Sequence, residues 1–101
     1  MFHGNVGTAN AMNGLLNAAR GQVPILFTAG RTPINEDTLK GHRTLDIHWT
    51  QEMYDQAGMV RESVKWDYEL RNAEQLETIV DRMLTVAMSE PKGPVYLSLP
   101  R

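Results

Sequence analysis

Cysteine is missing from this sequence of 101 residues. Its absence excludes disulfide bonds and thiolate metal sites, and it favours the reducing cytoplasm as the compartment of the protein. No apolar run approaches the roughly 18 residues of a membrane span, and the first residues lack the charged and then apolar pattern of a signal peptide. We therefore expect a cytoplasmic protein with no membrane partner.

An excess of charge of either sign is also missing, since 10 Lys and Arg stand against 12 Asp and Glu, for a formal net charge of -2. Without a basic surface, nucleic acid is not an expected partner. The apolar share of 42% and the charged share of 22% are those of an ordinary globular protein. A chain of this length can bury the core of one domain.

Several motifs of known chemistry are absent. Gly4 and Gly7 bracket two residues, but the spacing matches neither a Walker phosphate loop nor the dinucleotide pattern G-x-G-x-x-G. A mononucleotide-binding domain is an alternative, but the phosphate loop that it would need is not found in this sequence. His3, His42 and His48 do not have metal-ligand spacing, and we interpret them as surface or loop residues. No serine has the context of a catalytic nucleophile.

The stretch from Gly4 to Gly30 predicts a glycine turn, a helix and a strand. Thr8 is the predicted N-cap of the helix, and Gly21 its C-terminal end. The buried stripe of this helix is predicted at four positions, Met12, Leu15, Leu16 and Ala19. The continuous apolar run 23–29 predicts a strand that is buried on both faces.

The remainder alternates in the same way. A polar loop is predicted from Gly30 to about Ile47, followed by a helix from about Thr50 to Val60 and a strand at 63–68. Asn72 is the predicted N-cap of a helix with an unbroken apolar stripe to Met88, and 95–99 is the last strand. This order predicts an α/β fold, an open parallel sheet flanked by helices. Ligands of such sheets bind at the carboxyl ends of the strands, so 4–8 and 30–33 should share one rim.

Gln51 and Glu52 stand where the long loop enters the predicted second helix. An amide and a carboxylate at that place can be aimed at the rim. Glu52 is equally well explained as a first-turn glutamate that the helix dipole favours. From the residues alone, both interpretations stay open.

The ordered set of segments GNVGTAN, NAARGQVPILFTAGRTP, a loop ending in QE, VKWDY and SEPKGPVYLSLPR resembles a known family. It is similar to the later part of the N-terminal pyrimidine-binding domain of thiamine-diphosphate-dependent enzymes, most closely the acetolactate synthase-like group. That group also contains pyruvate oxidase and benzoylformate decarboxylase. The resemblance covers residues 1–101 and implies an incomplete pyrimidine-binding domain, with the middle and C-terminal diphosphate-binding domains absent.

The resemblance implies site residues one by one. Residues 7–10, Gly-Thr-Ala-Asn, match the family's Gly-Ala-Thr-Asn, which places Gly7, Thr8 and Asn10 near the cofactor pyrimidine. Residues 4–7 stand where relatives often have Ser-Gly-Pro-Gly, so a serine contact is lost and Asn5 is its candidate replacement. Gln51 matches the active-site glutamine that opens the QE pair and is the candidate catalytic residue. The family's catalytic glutamate would lie on a strand before Met1.

The implied function is decarboxylation or carboligation of 2-oxo acids with thiamine diphosphate. Mg²⁺ would be held by the absent C-terminal domain, and FAD is possible in the parent protein. The parent would be a homodimer or homotetramer, and the 101 residues alone are expected to be inactive. The alternative is a non-catalytic α/β dimerisation module related to these enzymes.

Overall fold

A computed structural model describes all residues from Met1 to Arg101. The chain forms four α-helices, α1 (Gly4–Asn10), α2 (Met12–Arg20), α3 (Ile47–Thr50) and α4 (Leu76–Met88). Its three strands are β1 (Leu26–Arg31), β2 (Asp67–Glu69) and β3 (Val95–Pro100). Short 3₁₀ turns lie at Ala57–Met59, Arg61–Ser63 and Ala73–Gln75. None of the helices has both the length and the apolar character needed to cross a membrane.

The strands form one parallel sheet in the order β1-β3-β2, which confirms the predicted α/β class. Leu26 pairs with Val95 at the start of β1, and Arg31 pairs with Pro100 at its end. Phe2 adds a parallel bridge to Ala29 on the outer side of β1. The strand ends therefore lie along one edge of the sheet.

Strand β3 is the central strand of the sheet, and its first four residues are buried because side chains pack against both faces of the sheet there. Tyr96 faces a cluster with Leu15 of α2, Ala29, Ala57 and Val60. Its neighbours Val95 and Leu97 face the other side and pack against Ile79, Met83 and Ala87 of α4. The alternation of side chains along a strand thus divides the core into two layers, with α2 on one side of the sheet and α4 on the other.

The predicted strand β3 and the predicted helix up to Met88 are confirmed, although α4 begins at Leu76 and Asn72 caps the 3₁₀ turn Ala73–Gln75 that precedes it. Asn72 accepts a hydrogen bond from the backbone N–H of Glu74 through its side chain, 3.0 Å long, as a cap does. Strand β1 begins at Leu26 rather than residue 23, since Pro24 has no N–H to donate and β3 begins only after Pro94. Strand β2 covers 67–69 rather than 63–68.

Two predictions about the first helix, the glycine turn and the Thr8 cap, are wrong, and the predicted buried stripe is confirmed only in part. Residues 4–7 are the first turn of α1, so Thr8 lies inside the helix and His3 is at the N-cap position. Gly4 has a φ of +55°, a conformation that glycine adopts easily, and the chain turns there directly into α1. On α2 the buried residues are Leu15 and Ala18, whereas Leu16 is 42% exposed.

The predicted helix from Thr50 is also wrong, because α3 ends at Thr50. Downstream of it, the Asp55 carboxylate accepts the backbone N–H of Gly58 at 2.9 Å, a local bond that competes with helical bonding. Only short 3₁₀ turns follow.

Packing of α4 on the sheet yields a prediction about stability. Met83 is completely buried, whereas Leu84 on the same helix is 46% exposed. We expect Met83→Ala to lower the free energy of unfolding by about 2–5 kcal/mol, because it leaves a cavity in the core. Leu84→Ala, the matched control, should cost less than about 1 kcal/mol, since an exposed side chain loses little burial. Chemical denaturation measures both values, and equal losses would contradict this placement of α4.

Candidate functional site at the strand ends

A hollow of about 400 Å³ lies at the carboxyl ends of β1 and β3. Gly4, at the start of α1, and residues 30–33, at the end of β1, both line it, which confirms that these two segments share one rim. A Cβ added to Gly4 or Gly30 would meet no atom closer than 4.0 Å, so the space beside both residues is open. The two glycines therefore leave open space for a ligand next to the backbone.

The lining of this strand-end hollow combines apolar walls with polar side chains. Its large apolar residues are Met1, Phe2, Pro33, Leu45 and Ile47. Its cationic or potentially cationic side chains are His3, Arg31, His48 and Arg101, and its amides are Gln51 and Gln56. No Asp or Glu side chain lines it. Such a lining suits a flat, partly polar ligand and also an anionic group.

Gln51 lies at the C-terminal end of α3 and lines the hollow. Its backbone carbonyl accepts a hydrogen bond of 3.0 Å from the side-chain amide of Asn5. The side-chain amide of Gln51 makes no hydrogen bond within the chain, so it is available to a ligand. Asn5 and Gln51, which are 46 residues apart in sequence, are thus brought together at the rim.

The other residues that the sequence singled out lie deeper or farther away. Gly7 packs on Phe2, where a Cβ would lie 3.1 Å from the Phe2 Cβ, so glycine is required by close approach. Thr8 is buried, and Asn10 is exposed at the end of α1 and does not line the hollow. A part for Gly7, Thr8 or Asn10 in cofactor binding stays a prediction, and none of these three residues lines the hollow.

A buried network of hydrogen bonds supports the inner wall of the hollow. The Tyr96 hydroxyl lies 2.8 Å from the Thr8 hydroxyl and accepts a hydrogen bond of 2.9 Å from the amide of Gln56. The same amide donates to the Gly30 carbonyl at 3.0 Å, and the Thr8 hydroxyl donates to the Gly4 carbonyl at 2.8 Å. This network therefore fixes Gly4 and Gly30, the two glycines of the rim, relative to β3.

A second polar network holds the loop beside Gln51. The Glu52 carboxylate accepts hydrogen bonds from Arg31 and from the Thr32 hydroxyl, each 2.9 Å long, and forms an ion pair with Arg43. Arg31 also pairs with Glu69 at the end of β2. We call Arg31, Thr32, Arg43, Glu52 and Glu69 the Glu52 cluster. Because its two arginines and two glutamates balance, the cluster adds no net charge to the rim.

The electrostatics of the cluster follow from partial burial and close pairing. Burial by itself would raise the pKa of the Glu52 carboxyl, but the hydrogen bonds from Arg31 and Thr32 and the charges of both arginines outweigh it and lower that pKa. Burial would lower the pKa of Arg31, and its bonds to Glu52 and Glu69 raise it instead. Glu52 is therefore an ionised anchor rather than a proton donor. Its ion pairs and hydrogen bonds in the cluster account for Glu52 without a direct role in catalysis. The sequence alone had left open whether Glu52 has a functional or a structural role.

Two histidines that were interpreted from the sequence as surface or loop residues belong to the lining of the hollow. His3 is exposed, and His48 is half-buried, yet both line the hollow. Nothing in their spacing indicated this, since they are far apart in the chain and come to the same hollow only in the folded structure. His42 does not line the hollow.

The anchoring by Glu52 can be tested through pH. A carboxyl whose pKa is lowered on folding stabilises the protein above its unfolded pKa, and this contribution is lost as the pH falls through the folded value. We expect Glu52→Gln to lower the free energy of unfolding at pH 7 by about 1–3 kcal/mol, since it breaks charge-assisted hydrogen bonds. The loss should shrink as the pH falls below the ordinary glutamate pKa of about 4.3.

Glu77→Gln is the matched control, because Glu77 is exposed on α4 and makes no ion pair or side-chain hydrogen bond. Denaturation curves of both variants from pH 7 to pH 3 provide the comparison. A Glu52→Gln loss that does not change with pH would show that the carboxylate charge is not what stabilises the loop.

No family model matches the chain. It is 28% identical over 99 residues to benzoylformate decarboxylase of Pseudomonas aeruginosa, an alignment that spans 98% of this chain and 17% of that protein. The chain thus spans about a sixth of the length of this relative.

Two solved structures share the fold. Benzoylformate decarboxylase from Polynucleobacter necessarius matches with a TM-score of 0.77 and 32% identity, over 97% of this chain and 17% of that one. A protein of Mycobacterium smegmatis described as a candidate thiamin diphosphate-dependent enzyme matches with a TM-score of 0.78 and 31% identity, over 98% of this chain and 18% of that one. These similarities support the resemblance to thiamine-diphosphate-dependent enzymes, of which the chain matches one segment.

Proposed function

We propose that the chain is the pyrimidine-side part of a thiamine-diphosphate-dependent enzyme that acts on 2-oxo acids. The observation that carries this proposal is the strand-end hollow, which has open space over Gly4 and Gly30 and the free amide of Gln51 on its rim. The similarity to benzoylformate decarboxylases over nearly the whole chain supports the reaction class. Decarboxylation and carboligation of the acetolactate synthase-like type are the finer form of the proposal.

The residues present fit the pyrimidine end of the cofactor. Phe2, Pro33 and Ile47 offer an apolar wall to a flat ring, while Gln51 offers a donor and an acceptor to ring nitrogens and their substituents. The open Cβ positions of Gly4 and Gly30 leave the rim backbone free to approach the ring. When bound, thiamine diphosphate supplies the electron sink for the loss of carbon dioxide from a 2-oxo acid.

The diphosphate end needs other residues. No group of three or more His, Cys, Asp or Glu side chains in the chain is arranged to hold a metal ion. The Mg²⁺ and diphosphate of the proposed enzyme would therefore be held by another domain, in a homodimer or homotetramer. FAD would likewise need a part of the protein outside these residues.

In this arrangement the chain positions groups rather than generating a nucleophile. The Asn5 amide holds the backbone of Gln51, and the Glu52 cluster holds the next residue, so the backbone that carries the Gln51 side chain is fixed at the mouth of the hollow. A side-chain amide at this position can stabilise charge that develops on a reacting carbonyl. His3, whose ring makes no hydrogen bond within the chain, offers a second polar group on the same rim.

Gln51→Ala in the full-length enzyme tests the proposal. Because the chain uses only the backbone carbonyl of Gln51, the substitution should leave the melting temperature within about 1 °C of the wild type. Turnover of a 2-oxo acid with thiamine diphosphate and Mg²⁺ should fall by about two to three orders of magnitude, the effect of losing one well-placed donor.

Gln75→Ala, which removes an exposed amide before α4, is the control and should keep wild-type turnover. Wild-type turnover in Gln51→Ala would remove Gln51 from the mechanism. If the unmodified full-length protein neither binds thiamine diphosphate nor turns over any 2-oxo acid, the non-catalytic dimerisation module is the correct assignment.

A further inference from the structure

The strand-end hollow contains an N–H donor that no residue of the chain uses. His48 lines the hollow, and its Nδ1 accepts hydrogen bonds from the backbone N–H groups of Thr44, at 3.0 Å, and Leu45, at 3.4 Å. Since Nδ1 is an acceptor, the ring proton is on Nε2. Nε2–H has no acceptor within the chain, so this donor is left for a ligand.

The surroundings of this donor favour an anionic acceptor. Arg31 and Arg101 also line the hollow, and no Asp or Glu side chain does. The charge of Arg31 is balanced by Glu52 and Glu69, which lie behind the lining. An anion entering the hollow would therefore meet hydrogen-bond donors and no Asp or Glu side chain.

A carboxylate fits this hollow better than a phosphate. Two common means of holding a phosphate are successive backbone N–H groups of a glycine-rich loop and a metal ion, and this chain has neither a phosphate-loop motif nor a metal cluster. One oriented imidazole N–H beside an apolar wall is suited to a small organic acid. Leu45 and Ile47, which flank His48, supply that wall.

We propose that His48 is a specificity-determining residue whose Nε2–H binds the carboxylate of a 2-oxo acid in the strand-end hollow. This inference rests on the proposed function and adds to it the group that distinguishes the acid from a neutral carbonyl compound. The backbone bonds from Thr44 and Leu45 orient the ring before the ligand arrives.

The test compares pyruvate with its methyl ester, which has the same carbonyl but no negative charge. Binding to the full-length protein, without added thiamine diphosphate, is followed by NMR of ¹³C-labelled histidine rings, and dissociation constants are obtained by titration. We expect pyruvate to shift the His48 ring signals and to bind about tenfold more tightly than methyl pyruvate, a factor typical of one charge-assisted hydrogen bond.

Two substitutions separate ligand binding from a purely structural role. His48→Asn keeps an acceptor near the position of Nδ1 for the Thr44 and Leu45 N–H groups but removes the outer donor, so the preference for pyruvate should fall to about onefold. His48→Gln places an amide N–H near the position of Nε2 and should keep part of the preference, even if the loop is less stable. His42→Phe, in the same loop but outside the hollow, is the control and should behave as the wild type.

The proposal is wrong if the wild type binds pyruvate and methyl pyruvate equally, or if His48→Gln loses the preference while His48→Asn retains it. It is also wrong if inorganic phosphate shifts the His48 signals at lower concentration than pyruvate does. Turnover of 2-oxo acids by the full-length enzyme in any of these cases would leave the proposed function intact. Absence of turnover together with absence of binding would remove both.

Discussion

Parallel pairing of β3 with β1 and β2 is the constraint on which the rest of this structure depends. Because the strands run in the same direction, β1, β2 and β3 all end along one edge, and Phe2 extends that edge beyond β1. Backbone groups and loops that leave these ends must converge there. The strand-end hollow is the direct result, and the core clusters on the two faces keep the sheet in place beneath it.

Two polar networks turn this edge into a site of fixed shape. The Tyr96 hydroxyl links Thr8 and Gln56 inside the core, and Gln56 continues to Gly30 at the rim. A buried network is costly unless its members are satisfied, and here each hydroxyl and amide has a partner. On the outer side, Glu52 is held by Arg31, Thr32 and Arg43.

Separate hydrogen bonds hold Gln51 and His48 in position, although both residues lie near a long irregular segment. Gln51 is held through its backbone by Asn5, and His48 through Nδ1 by two N–H groups of its own turn. In both residues the bonds that position the group leave its outward donor unused. Such preorganisation lowers the entropy cost of ligand binding, which a flexible loop would have to overcome.

The sequence predicted what is set by local periodicity and failed where distant contacts decide. Helix α4, the Asn72 cap that precedes it and strand β3 follow from apolar spacing and turn residues, so they were predictable. The helix expected after Thr50 was not formed, because Asp55 caps Gly58 locally and Glu52 is drawn to two arginines, one of them on β1. Thr8 is of a residue type that is common at the N-cap of helices, but its hydroxyl bonds to Tyr96, which is 88 residues away.

The site could be predicted in part for the same reason. The shared rim of Gly4 and residues 30–33 follows from parallel topology, and Gln51 was identified by the family resemblance. The positions of His3 and His48 in the lining could not be read from their spacing, because only the folded structure brings both residues to the same hollow. The arginine partners of Glu52 were hidden likewise by their separation in sequence.

A crystal structure of the full-length protein with thiamine diphosphate and Mg²⁺ tests the central claim most directly. The account predicts that the pyrimidine ring lies in the strand-end hollow, in contact with the Gly30 backbone and the Gln51 side chain, with the diphosphate bound by another domain. A pyrimidine ring bound away from this edge, with the hollow filled only by solvent, would contradict it.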